Sequence, residues 1–163
     1  MVLTVLLSLM MSAGLFLLLY AGVALIQNKK YFTSAPKEVF EAILPKEQRF
    51  RGQHMLGCIM AALAVFCMGG ALVIGAADGI TNGFTFGRFF ARFLVMLLWL
   101  KAFDILFFDW YVLCRSGFFP RYYPEVKDVL GPHLFGFNKK DHLKQIIACF
   151  IAAAVMAWLC TLL

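Results

Sequence analysis

Four apolar runs separated by polar, mostly basic segments set the pattern of this chain: 3–26, 55–77, 90–113 and 146–163. A helix needs about 20 mainly apolar residues to cross roughly 30 Å of hydrocarbon at 1.5 Å per residue, and each run meets or approaches that length. The pattern predicts an all-α polytopic membrane protein with four transmembrane helices. The first run continues well past the length of a signal-peptide core and shows no convincing cleavage site, so it is expected to stay as the first span. Small residues at helical spacing, Ser8 and Ser12 in the first run and Gly57 and Ala61 in the second, suit close helix packing in lipid.

Between the first two runs lies SAPKEVFEAILPKEQRFRGQH. Pro36 suits a helix start, Glu38 favours its positive end, Pro45 stops it, and Val39, Phe40, Ile43 and Leu44 form one apolar stripe. A short amphipathic helix over 36–44 is expected, lying on the membrane or on the other helices. The segment between the last two runs repeats this design at an offset of 87: Tyr31-Phe32 matches Phe118-Phe119, Glu38-Val39 matches Glu125-Val126, and Pro45 matches Pro132. One further residue of slippage aligns His54 with His142. A second interfacial helix follows, over 124–130. The same offset lays span 3–26 on span 90–113, so the chain reads as two tandem helical hairpins, 1–77 and 88–163, forming one membrane domain. Units with an even number of spans share one orientation, which implies a pseudo-two-fold axis along the membrane normal and a four-helix bundle.

Composition agrees with the pattern: 63% of residues are hydrophobic and 15% charged, and the mean hydropathy is +0.83. So little polar surface does not solvate a globule of 163 residues. The net charge of +6 is divided evenly, because 27–54 and 115–145 each hold six basic and three acidic residues. These loops flank alternate spans, so both are expected to be cytoplasmic, with N-out and C-out termini in a bacterial cytoplasmic membrane. Orientation and anionic head groups explain the basic loops; nucleic acid is not an expected partner. The five cysteines, Cys58, Cys67, Cys114, Cys149 and Cys160, lie in or at the ends of the spans without a CxxC pair, which argues against a disulfide framework.

The candidate chemistry is one-sided within the repeat. Lys101, Asp104 and Asp109 lie inside the third span, where the first has Gly14, Leu17 and Gly22. On an α-helix Asp104 falls about 60° to one side of Lys101 and Asp109 about 80° to the other, so all three face the bundle. A charge at mid-membrane costs several kcal/mol unless paired or hydrated. The cluster therefore reads either as a neutralised pair that fixes helix register or as a ligand site or ion relay. A second candidate is the cytoplasmic mouth, with His54, His142, Glu125 and Asp128; His54, His142 and Asp109 are its weak metal candidates, with no HxxxH or HxxE spacing behind them. His133 reads as a loop residue. Arg88 and Arg92 are expected to snorkel to the outer head groups. The aromatics of the third span read first as packing and interface anchors.

Three functions stay open: binding or translocation of a small polar or ionic solute or an anionic lipid at the interface of the hairpins, with a homodimer expected if transport is the task; an enzyme acting on a lipid or isoprenoid head group at the cytoplasmic interface; and an accessory subunit of a membrane complex. No cofactor is indicated by any motif.

Overall fold

In the computed structural model, which describes residues 1–32, 35–131 and 134–163, every regular element among the described residues is helical. Helix α1, Val2–Tyr20, continues as a π-helical segment, Ala21–Ile26. A 3₁₀ turn, Lys29–Phe32, and a short helix α2, Lys37–Ala42, lead to α3, Gln53–Thr81. Helix α4, Phe86–Phe103, likewise continues as a π-helical segment, Asp104–Leu113. Helix α5, Phe118–Tyr122, a 3₁₀ turn, Pro124–Val126, and α6, Lys139–Thr161, complete the chain.

Three stretches, Val2–Ile26, Gln53–Thr81 and Lys139–Thr161, are long and apolar enough to cross a membrane, with hydropathies of 2.5, 2.4 and 2.0. The expected fourth span does not stand with them. Helix α4 has 18 residues, carries Arg88, Arg92 and Lys101, and changes its winding at Asp104. The expected helix over 36–44 forms as Lys37–Ala42, with Pro36 as its N-cap and Ile43 already extended ahead of Pro45. The expected helix over 124–130 shortens to the 3₁₀ turn at Pro124–Val126 followed by turns, and the pattern gave no sign of α5. Pro132, the far end of the repeat match, and His133 lie outside the described residues.

The chain forms two compact units: Met1–Leu15, Val65–Phe103 and Asn138–Leu163 make the first, Phe16–Ala64 and Asp104–Phe137 the second. In the first unit, Leu7 and Met11 of α1, Ala71 of α3, Phe89, Phe93 and Met96 of α4, and Ala153 and Ala157 of α6 share one core. The alanines of α6 have no bulk to hold α4 away, and these two helices lie side by side. Arg92 ties α4 to α3. Its guanidinium donates to the Gly75 carbonyl at 2.7 Å, meets the Asp78 carboxylate at 2.6 Å and stacks over Phe84 at 4.4 Å. Arg92 is 7% exposed, so it does not snorkel as the sequence suggested. An acid one helix back and the remaining acceptor capacity of the Gly75 carbonyl offered it partners inside the protein, where a bare guanidinium would be stranded.

The second unit contains both basic loops. Its core joins Val23, Phe32, Val39, Ile43, Leu113, Tyr123 and Val126. The stripe of α2 therefore packs on protein, with Val39 and Ile43 buried and Leu44 left exposed. Lys29 Nζ donates to the Glu41 and Ile43 carbonyls at 3.5 and 3.2 Å, satisfying acceptors at the end of α2. Lys46 and Glu125 bridge the two loops at 2.8 Å. Gln53, fully buried at the start of α3, donates to the Leu25 carbonyl at 2.8 Å and to Gln27 Oε1 at 2.9 Å, while its own Oε1 accepts from the Arg49 backbone amide at 3.0 Å. Arg49 donates to the Ala24 carbonyl. The first π-helical segment thus ends with its spare carbonyls met by side chains from the loop and α3, and Gln27 turns the chain away at φ 51°.

Candidate functional site

The second π-helical segment decides where the acids of the third apolar run go. In an α-helix Asp104 and Asp109, five residues apart, would diverge by about 140° at 100° per residue. A π-helix bonds each residue to the fifth one on and takes more residues per turn, so positions i and i+5 fall on the same face. Asp104 and Asp109 accordingly place carboxylate oxygens within 4.8 Å of each other, both half-buried. Sequence reasoning spread them to opposite sides of Lys101 because it assumed uniform α winding. The end of this segment is closed by side chains: Cys114 Sγ donates to the Asp109 carbonyl at 2.9 Å and Ser116 Oγ to the Val112 carbonyl at 2.8 Å.

Beside that segment, within the second unit, lies a cavity of about 480 Å³. Phe16 and Phe107 meet edge to face at 5.9 Å and Tyr111 flanks Phe107 at 5.7 Å, making one wall. Tyr20, Phe118 and Tyr122 make another, with ring centroids 5.3 to 6.5 Å apart. Arg121 of α5 stands at the exposed part of the lining, which contains no acid. Among the described residues no carboxylate pairs with Arg121. Arg49 supports the wall from behind, stacked on the Tyr122 ring at 5.2 Å. Burial first, then hydrogen bonding and proximity to Tyr20, push the Tyr122 phenol above its ordinary value against the pull of Arg121 and Arg49, so it remains a neutral hydroxyl.

The expected cytoplasmic-mouth residues divide. Glu125 is occupied: it accepts from Lys46 Nζ at 2.8 Å and from the Leu44 amide at 3.2 Å. Burial pushes its carboxyl up, but the Lys46 hydrogen bond, the amides of Glu125 and Leu44 and the Lys46 charge outweigh that and hold it below the usual carboxylate range. Asp128 is exposed, and His54 is half-buried in the first turn of α3. In the first unit, His142 is half-buried in α6 and Lys101 half-buried in the last turn of α4. Next to Glu125, Tyr123 is fully buried with Lys46 over its ring at 5.5 Å, and its hydroxyl has no hydrogen-bond partner among the described residues. Burial, then the Glu125 charge, drives that phenol far above its ordinary value.

Sequence reasoning missed Gln53, Arg49 and Arg121. A glutamine at the edge of a span was the available signal for the first, since a buried amide demands partners. The two arginines were counted only as loop charge. Compared with known protein families, curated proteins and solved structures, the chain gives no match.

Proposed function

We propose that this chain is a non-enzymatic membrane protein that binds an anionic amphiphile between its two hairpins, on the cytoplasmic side of the bilayer. The observation that carries this reading is the cavity of about 480 Å³, walled by aromatic rings and supplied with one cation and no acid. Ligand sites combine apolar walls with a few placed polar groups, and this lining offers that combination. Its lining is drawn from the first apolar run, the third run and α5, the place where a duplicated hairpin would have its internal interface. The order of elements supports duplication too: long helix, π-helical segment, two short helices and long helix occur twice along the chain.

The test is binding of anionic and zwitterionic amphiphiles to protein in a neutral detergent, followed by native mass spectrometry. Arg121→Gln is expected to weaken anionic binding about tenfold or more, since a hydrogen bond to a charged group is worth about 1.5–3 kcal/mol. Equal binding of zwitterionic amphiphiles, or none of the loss in Arg121→Gln, overturns the reading.

A second reading rests on the closeness of Asp104 and Asp109. Two carboxylates at that separation repel unless a proton or cation is shared between them, which suits an ion relay along the third apolar run with Lys101 as its further member. Its test is proton or cation flux into vesicles, expected to be lost in Asp104→Asn and Asp109→Asn. The enzymatic reading draws less support, because Glu125 is held in an ion pair and Asp128 faces solvent.

A further inference from the structure

The cavity also limits what the amphiphile is, on the premise that the cavity is the binding site. Its volume of about 480 Å³ lies in the range of about 300–1,000 Å³ typical of sites for one small ligand. That is room for one long apolar chain, whereas a two-chain phospholipid has several times as many non-hydrogen atoms. Binding sites of this kind bury about 70–90% of their ligand's surface. A two-chain lipid placing one chain here would leave about half of itself outside, so its recognition would fall well below that range.

The polar groups agree with the volume. Ser116 has already committed its hydroxyl, donating to the Val112 carbonyl and accepting from the Phe118 amide at 3.3 Å. Tyr122 is kept neutral, and the lining supplies the single guanidinium of Arg121. A guanidinium presents a planar fork of donors that fits a carboxylate or phosphate through two oxygens. One fork matches one anionic head.

We infer that the natural occupant is a single-chain amphiphile, one alkyl or prenyl chain ending in a carboxylate or phosphate, with the head at Arg121 and the chain between Phe16, Phe107, Tyr20 and Tyr122. The chemistry is shared by free fatty acids and by alkyl or prenyl phosphates, and separate arms tell them apart. Full-length protein in neutral detergent is titrated with oleate, oleyl phosphate, farnesyl phosphate, oleyl alcohol and dioleoyl phosphatidylglycerol. At least one single-chain anion is expected to bind ten times or more tighter than both the alcohol and the two-chain lipid. Arg121→Gln is expected to bring it to the level of the alcohol, with the unfolding temperature of the unliganded protein unchanged. The anion that binds tightest names the head group. Arg121→Lys checks the fork, and is expected to recover less than a third of the lost affinity. If dioleoyl phosphatidylglycerol binds as well as the single-chain anions and depends equally on Arg121, the single-chain inference fails while the anionic-amphiphile reading stands. If no anion depends on Arg121, both fail.

Discussion

Gln53 and Arg49 hold more of this structure than their place in a loop-to-helix junction suggests. A fully buried glutamine that satisfies the Leu25 carbonyl and Gln27 leaves both orphaned when it is removed. An unsatisfied buried group costs about 1–3 kcal/mol. Gln53→Leu is therefore expected to lower stability by about 2–4 kcal/mol, read as a fall in unfolding temperature in detergent. Glu125 gives a pH signature. Its carboxyl titrates lower when folded than when unfolded, so its contribution is complete above the ordinary value of 4.5 and is lost as pH falls through the lower folded value. Glu125→Gln should remove about 1–3 kcal/mol at neutral pH, between the effects for exposed and for buried pairs. It should also flatten the decline in stability below about pH 4.5. A variant whose acid limb matches that of the parent would show that Lys46 and Glu125 are not coupled.

At the scale of elements, the apolar runs were legible because twenty consecutive apolar residues are a compositional signal that needs no geometry. Winding was not. Nothing in DILFFDWYVL distinguishes α from π periodicity, because that choice depends on whether the released carbonyls find donors elsewhere, here Cys114 and Ser116. The aromatic cavity was equally hidden, since its walls come from residues about a hundred positions apart. Arg92 was misjudged because a basic residue near a helix end is ordinarily free to reach head groups, and its acid partner sat across a turn. Glycines test the packing of the elements directly. A Cβ at Gly57 would meet Ile26 Cγ1 at 2.7 Å and Leu25 Cβ at 2.9 Å, whereas one at Gly69 meets nothing within 4 Å. Gly57→Ala is expected to destabilise by about 1–3 kcal/mol through overpacking against the first π-helical segment. Gly69→Ala should stabilise by up to about 1 kcal/mol through helix propensity. Equal effects of the two would contradict the close approach at Gly57.

For the whole molecule the charge asymmetry makes the sharpest statement. Six basic residues in each of two loops, alternating with the short turn at Asn82, lead to the expectation that both loops lie on one side of a membrane. In a background lacking the native cysteines, a membrane-impermeant thiol reagent added to intact cells should label Asn82→Cys and spare Lys46→Cys and Lys139→Cys. Labelling at either lysine position would reverse the orientation and move the Arg121 cavity to the outer leaflet.

The link from Arg92 to Asp78 bears on how the chain enters the bilayer during synthesis. Helix α4 carries Arg88 and Arg92 towards its start and Lys101 in its last turn, and basic residues oppose insertion, by about 2.5–3.5 kcal/mol where they lie at the centre of a span. The chain emerges in order, so α3 is already in place when α4 arrives, bringing an acid and a carbonyl to the guanidinium. Should α4 enter the bilayer, its insertion is expected to depend on its predecessor. Fused alone to a glycosylation reporter, α4 is expected to insert poorly; the α3–α4 pair should insert well, and Asp78→Leu should return the pair towards the behaviour of α4 alone. Sequence changes at Asp78 would thus be felt first in the amount of protein made, before any ligand is bound.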